Sequence, residues 1–327
     1  MSLQFIMGGS GSGRSTWLYH MISREAAEHR DRQYIILVPD QFTLETQKTL
    51  VQMSGRGGIL NVDVLSFHRL AYRVFEEVPV LRKAVLEDMG KMMLLRKVLS
   101  EQKEELCYFK RGLYKPGFLD ECKSFLCELM QYAVKEEDFD TMERAVGGEG
   151  LMAWKIRDLR RIYHALKEKL GDTYMMAEEL VSQLTGVAAS IPMLRGSVIC
   201  LDGFTGFTPV QYELLGELLA CCDRMIVTVT TDRTGDRGMV FQMSTDTMNR
   251  LSKLAAAVPV RIEEPVFTGK GKEKLPYRTM GSPALGFLEK NIFSFRRTKW
   301  EEEVTDIHIR VCRREADEAA WTARQIW

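Results

Sequence analysis

The strongest chemical signal lies near the start of the chain. Met7-Gly8-Gly9-Ser10-Gly11-Ser12-Gly13-Arg14-Ser15-Thr16 follows an apolar run, Leu3 to Met7, and leads into a helical pattern from Thr16 to His29. A glycine-rich string between a strand and a helix is the setting in which backbone N–H groups cradle a phosphate. Glycines let the chain turn and approach the anion with no Cβ in the way. The helix that follows adds the positive end of its dipole. The spacing is that of G-x-x-x-x-G-K-[ST], with Arg14 in place of the lysine. Gly8, Gly9, Ser10, Gly11, Ser12, Gly13, Arg14 and Ser15 are therefore the candidate nucleotide-binding residues. Ser15 is placed to offer a hydroxyl to magnesium. Arginine keeps the charge of lysine but replaces a compact ammonium with a long planar fork. Phosphate binding survives that exchange more readily than phosphoryl transfer does.

The second chemical residue is Asp202, at the carboxyl end of the apolar run Ser197-Val198-Ile199-Cys200-Leu201. Open parallel sheets bind ligands at the carboxyl ends of their strands. An acid there, paired with a phosphate loop, helps to hold magnesium. Asp-Gly is equally the sequence of a plain strand-end turn, so two readings fit. A working ATPase of this type places glutamate next, to orient or deprotonate water; here the residue is Gly203. A missing general base costs roughly 10²–10⁴-fold in rate. No residue is assigned as catalytic.

The elements that must position these residues alternate. Tyr34 to Pro39 is a continuous apolar run, as in a strand buried on both faces of a parallel sheet. Asp40-Gln41-Phe42-Thr43 opens a helix capped by Thr43 or Asp40. A turn at Gly55-Arg56-Gly57-Gly58 precedes a strand from Val62 to Leu65, and Ser66 caps the helix that begins at Phe67. From Val80 to Thr185 the pattern is helical. Apolar stripes fall at Val85, Met89, Met92, Leu95 and Leu99, at Phe118, Cys122, Phe125 and Leu129, and at Leu159, Ile162, Leu166 and Leu170. Loops at Lys115-Pro116-Gly117 and Gly147 to Gly150 separate these helices. Strands resume at 197–202 and 225–230, with helices from Thr208-Pro209 to Cys221 and from Thr245 to Ala257. Gly269 to Thr279 reads as a linker, Pro283 to Phe293 as a short helix, 300–305 as charged surface, Ile307 to Cys312 as a strand and Glu315 to Trp327 as a helix. The expected class is α/β: a RecA-like parallel sheet with a large helical insertion. The expected division is a discontinuous core, 1–79 and 186–300, an insertion at 80–185, and from 301 the start of a second domain that continues past Ile326-Trp327.

Composition narrows the function. The 327 residues are 45% hydrophobic and 28% charged, as in an ordinary globular chain. Lys plus Arg and Asp plus Glu both number 45, so no bulk charge draws the protein to nucleic acid or acidic membranes. No apolar stretch is long enough to span a membrane, and the first residues lack a basic segment followed by a cleavable apolar run, so secretion is not expected. Seven scattered cysteines without a C-x-x-C pair read as reduced thiols of a cytoplasmic protein, and the five histidines show no zinc spacing.

Four strings together resemble one family. Gly8 to Ser15, Leu37-Val38-Pro39-Asp40-Gln41, Leu65-Ser66-Phe67-His68-Arg69-Leu70 and Leu201-Asp202-Gly203-Phe204-Thr205-Gly206-Phe207-Thr208-Pro209 look like the N-terminal part of AddB. AddB, related to RexB, is the B subunit of bacterial AddAB helicase–nucleases. The last string is the most specific, because LDGF-TGFTP is not a general ATPase motif. The resemblance implies a superfamily-one helicase-like core and a role in double-strand break repair by recombination. It implies a heterodimer with an AddA-type motor subunit acting on single- and double-stranded DNA, as an ATP-dependent helicase and exonuclease. It implies recognition of a hotspot as single-stranded DNA by the helicase-like region of the B subunit. A nuclease metal and an iron–sulfur cluster would belong to the family's C-terminal half, outside this chain. ATP and magnesium would be the ligands of this part, although the family's loop carries lysine and Arg14 departs from it. Gln41, Phe42, Thr43, Phe67, His68, Arg69 and Phe207 are the candidate DNA contacts, by stacking and phosphate pairing. Two other classes remain open: an independent P-loop ATPase or small kinase, and a scaffold whose loop binds nothing.

Overall fold

Strand residues that alternate between two packed faces build the centre of the molecule. The computed structural model describes all residues except 56, 57, 59, 78–82, 233–237, 270–276 and 295–297. Parts of the turn expected at Gly55 to Gly58 and of the linker expected at Gly269 to Thr279 lie outside the described residues, as does the 79/80 boundary. The chain runs β1 (Ser2–Gly8), α1 (Arg14–Glu28), β2 (Tyr34–Leu37), α2 (Thr43–Ser54), β3 (Val62–Leu65) and α3 (Phe67–Glu77). Next come β4 (Ala84–Leu86), α4 (Asp88–Gln102), α5 (Phe118–Gln131), α6 (Glu136–Ala145), α7 (Leu151–Leu170), β5 (Tyr174–Met176) and α8 (Leu180–Thr185). The remainder is β6 (Val198–Leu201), α9 (Pro209–Cys221), β7 (Arg224–Thr230), α10 (Gln242–Ala257), β8 (Arg261–Ile262), β9 (Val266–Phe267), α11 (Pro283–Asn291) and α12 (Glu315–Ile326).

The main sheet has the order β3-β2-β6-β7-β1-β8, with β9 also paired to β1, and every pairing is parallel. Leu3, Phe5, Ile35, Leu37, Ile199, Leu201, Met225, Val227 and Val229 face one core, shared with α3, α8, α9 and α10. Their alternate neighbours Ile6, Tyr34, Ile36, Val198, Cys200 and Ile226 face a second core under α1 and α2. Helices on both faces explain why β2 and β6 are buried at every position. This is the α/β parallel sheet expected of a RecA-like core.

Two helix starts match their sequence signals. The Arg69 amide donates to Ser66 Oγ at 3.3 Å. At α9, Thr208 and Gln211 satisfy each other's amides, with Pro209 in the first turn. The start of α2 differs. Asp40–Phe42 forms a single 3₁₀ turn, and the Thr43 hydroxyl donates to the Asp40 carbonyl at 2.9 Å, so neither side chain caps the helix.

Residues 88–170 fold around a core of their own, built from α4, α5, α6 and α7. Leu159, Ile162, Leu166 and Leu170 are buried as the stripe predicts. The other two stripes hold in part: Leu95, Leu99, Cys122 and Leu129 are buried in the helical core, but three positions depart. Val85 lies in β4, Met89 is exposed, and Leu126 rather than Phe125 takes the inward seat. Spacings of three and four fit either register when the first helical residue is unknown. Two short strands interrupt the expected all-helical stretch. β4 and β5 pair in parallel, Val85 beside Met175 and Leu86 beside Met176. Val85 and Met175 pack with the sheet core; Leu86 and Met176 pack with the helical core. Alternation thus makes this two-stranded ribbon a partition between the two. Leu180, Val181 and Leu184 of α8 also lie in the sheet core.

The 307–312 segment is not a strand. Ile309 and Val311 are exposed, and among the described residues no ladder neighbour pairs with it. A strand is defined by that neighbour, not by alternation alone.

Candidate functional site

The glycine loop sits where the fold requires a binding loop to sit. It leaves the carboxyl end of β1, turns through Gly11 (φ 72°) and Gly13 (φ 85°), and enters α1 at Arg14. Both angles are left-handed and suit glycine. A Cβ on Gly8 would collide with the hydroxyls of Ser12 and Thr268, and one on Gly11 with the Cβ of Arg278. Beside the loop lies a cleft of about 840 Å³. The cleft is lined by residues 10–17, His20, Phe267, Thr268, Gly269 and Arg278. The loop is tied down from the β9 side, where Ser12 Oγ lies 2.9 Å from Thr268 Oγ1 and the Thr268 amide donates to the Met7 carbonyl.

Arg14 does not reach into the open. Its Nη1 donates to Thr230 Oγ1 at 2.6 Å, at the end of the neighbouring strand. Burial lowers its pKa, and the Asp202 carboxylate acts against that shift. Arg278 is the second cation at the loop. It lines the cleft and its Nη1 stands 3.5 Å from Ser10 Oγ.

Asp202 is buried, 4% exposed. Its Oδ1 accepts from Ser15 Oγ at 3.0 Å and from Thr228 Oγ1 at 2.6 Å, and its Oδ2 accepts from the Tyr19 hydroxyl at 2.5 Å. The fold assembles this cluster from afar. β7 lies between β6 and β1, and Thr228 and Thr230 point from it to the α1 face, alternate residues on one side of a strand. Tyr19 comes from one turn inside α1. Burial, then the charge and hydrogen bond of Asp202, push the Tyr19 phenol far above its ordinary value. Ser15 beside a carboxylate is a hard-oxygen donor pair that fits magnesium bound jointly with phosphate oxygens and water. Among the described residues no group of three or more His, Cys, Asp or Glu side chains could hold a metal ion by itself. Gly203 follows with φ 78°, so the backbone itself disfavours a glutamate at that position.

The loop and Asp202 therefore meet. The candidate DNA contacts divide by depth. Gln41 and Arg69 are exposed, Phe42 is 40% exposed, and His68 Nδ1 is 3.9 Å from Asp40. Thr43 and Phe67 are buried. Phe67 packs edge-on against Phe204 and half-buried Phe207, at centroid distances of 5.5 and 6.0 Å, and so presents no free ring face. All seven lie on segments at or just past the carboxyl ends of β2, β3 and β6, the same edge of the sheet as the glycine loop. Sequence reasoning missed Tyr19, Thr228, Thr230, Thr268 and Arg278. Tyr19 falls in a helical pattern, Thr228 and Thr230 fill ordinary strand positions, Thr268 follows a two-residue strand, and only the folded sheet brings them to the loop.

The fold and site define an α/β parallel-sheet protein of RecA-like type with a helical insertion and a glycine loop at the sheet's carboxyl edge. The model of a family described as "ADDB, N-terminal" matches residues 5–289, and the chain belongs to that family. Three curated relatives are each named as the B subunit of an ATP-dependent helicase/deoxyribonuclease. The one from Lachnoclostridium phytofermentans is 40% identical over 314 residues, covering 94% of this chain and 27% of the relative. That from Caldanaerobacter subterraneus subsp. tengcongensis is 33% identical over 312 residues, with the same coverage. That from Desulforudis audaxviator is 32% identical over 334 residues, covering 100% of this chain and 28% of the relative. The chain thus spans about a quarter of the length of the relatives it matches. Among the described residues no helix is long and apolar enough to cross a membrane.

Proposed function

We propose that this chain is the helicase-like, non-motor N-terminal region of the B subunit of a cytoplasmic ATP-dependent helicase/deoxyribonuclease that processes DNA ends for recombinational repair. The division would be a sheet core at 1–79 and 186–300, an insertion at 80–185, and a second domain from 301. An AddA-type subunit would be the motor partner, and the complex, rather than this region alone, would carry the hydrolase activity. Gly8 to Ser15 would hold the phosphates of ATP, with Ser15 and Asp202 toward magnesium and Arg278 as an additional cation. Exposed Gln41, Phe42 and Arg69, with half-buried His68 and the rim of Phe207, would meet single-stranded DNA. Thr43 and Phe67 would support that surface from below.

One observation carries the non-motor reading. Asp202 has both oxygens engaged by hydroxyls, and the residue after it is a left-handed glycine where a water-activating acid would stand. Titration of the 327-residue chain with a fluorescent ATP analogue and magnesium should give saturable binding, with steady-state hydrolysis at background. Turnover that disappears in Asp202→Ala would establish the independent ATPase instead. Absence of saturable binding would establish the scaffold. The DNA surface is tested in the intact heterodimer. Phe42→Ala with Arg69→Ala should weaken single-strand binding about tenfold or more, and unchanged affinity and salt slope would remove the assignment.

A further inference from the structure

The helical insertion carries two clefts that none of the proposed chemistry uses. The first, about 340 Å³, is lined by Asp88, Met89, Met92, Met93, Arg96 and Lys123. The second, about 600 Å³, includes Met92, Arg96, Lys103, Tyr114 and Lys115. They share Met92 and Arg96, so they form one continuous groove along α4. Its two ends differ in character. At one end Met89 and Met93 stand 73% and 68% exposed beside half-buried Met92. At the other are Arg96, Lys103 and Lys115. Among the described residues no carboxylate forms an ion pair with these three, while Lys103 lies over the exposed ring of Tyr114, 5.3 Å from its centroid. The acids at the groove are already engaged: Asp88 with Lys91 and Lys123, and Asp120 at 4.0 Å from Lys123.

We infer that this groove docks an acidic amphipathic helix of a partner protein. Exposed methionines are flexible and polarizable, and suit the apolar face of a helix laid in a groove. Three cations without a carboxylate partner, toward the other end of the groove, complement glutamates or aspartates at one end of that helix. From Met89 to Ser100 the groove follows α4 for roughly 17 Å at ~1.5 Å per residue, the length of about three helical turns. A nucleic acid strand fits less well. It would use the cations and Tyr114 but would leave the methionine end with nothing to cover it.

The test uses the 327-residue chain with ¹³C-methyl methionine and a synthetic helical peptide that carries leucines on one face and glutamates at one end. The expected result is saturable movement of the Met89 and Met93 methyl signals, assigned from Met89→Leu and Met93→Leu. The affinity should fall with salt and drop about tenfold or more in Arg96→Glu/Lys103→Glu. Met89→Ser/Met93→Ser should weaken the same peptide while circular dichroism confirms the fold. Four results overturn the inference: no shift up to millimolar peptide, equal binding of the peptide with lysines for glutamates, displacement of the peptide by a single-stranded oligonucleotide, or methyl shifts that follow protein concentration without peptide. The last would make the groove a contact between copies of this chain.

Discussion

Asp202 shows how a charge can be buried without a bonded cation. Three hydroxyls, from Ser15, Tyr19 and Thr228, satisfy its two oxygens, while the nearby guanidinium of Arg14 bonds to Thr230. Asp202→Ala would leave Ser15 and Thr228 without an acceptor and Tyr19 with only Thr46 Oγ1 at 3.3 Å; at about 1 kcal/mol for each lost bond the loss is roughly 3 kcal/mol, read by urea denaturation. The Tyr19 phenol is held above its ordinary value, so only its neutral form fits beside the carboxylate. Its contribution is complete below the unfolded value of ~10 and is lost as pH rises through the folded one. Tyr19→Phe should therefore flatten the alkaline limb of the stability–pH curve, and an unaltered limb would contradict the hydrogen bond. Restoring the two missing side chains together, Arg14→Lys with Gly203→Glu, should still leave hydrolysis at background. Position 203 has a left-handed backbone, and a non-glycine residue there is strained by about 1 kcal/mol or more. Measurable turnover in that variant would show that side chains alone had silenced the site.

At the level of elements, the neck of the insertion is a ribbon of two strands backed by an ion pair. Lys91 Nζ lies 2.8 and 3.0 Å from the two oxygens of Glu178, with side chains only 6% and 12% exposed. Burial alone would lower the lysine's pKa, but Glu178 outweighs it and the net shift is upward. Glu178 is likewise held below its usual range despite its own burial. Its share of stability is present above pH ~4.3 and lost as pH falls through the lowered value. Glu178→Gln should cost about 3 kcal/mol by leaving the buried ammonium only the exposed Asp88 at 3.9 Å, whereas Lys91→Met/Glu178→Leu should recover most of that in the same denaturation assay. Sequence could not show this neck. β4 and β5 are three residues each and exist only as each other's partner, and β8 and β9 are two residues each at the sheet edge. The long buried runs of β2, β6 and β7 were legible because burial on both faces leaves an uninterrupted apolar string. The caps at Ser66 and Thr208 were legible because capping is local. The loop and Asp202 were legible as motifs, but Tyr19, Thr228 and Arg278 join them across gaps that no local pattern encodes.

At the scale of the whole molecule, the two cores meet through few residues. Replacing 84–176 by a five-residue glycine–serine linker removes Val85, Ala133 and Met175 from the sheet core, a loss of about 3 kcal/mol. The shortened protein should still unfold cooperatively and bind the fluorescent ATP analogue within about twofold of the full chain. Failure to fold would mean that the insertion is part of the sheet's foundation.

The strand order has a consequence for how the chain reaches this state. β2 must wait for β6 to fill the seat beside it, and some 160 residues separate Leu37 from Val198. The helical segment between them has a core of its own and can condense first, drawing residues 84 and 176 together. That shortcut reduces the effective loop to about 70 residues and lowers its closure entropy by about 0.8 kcal/mol. While the ribosome is still emitting the later strands, the insertion would thus act as a staple that holds the unfinished sheet within reach of its missing half.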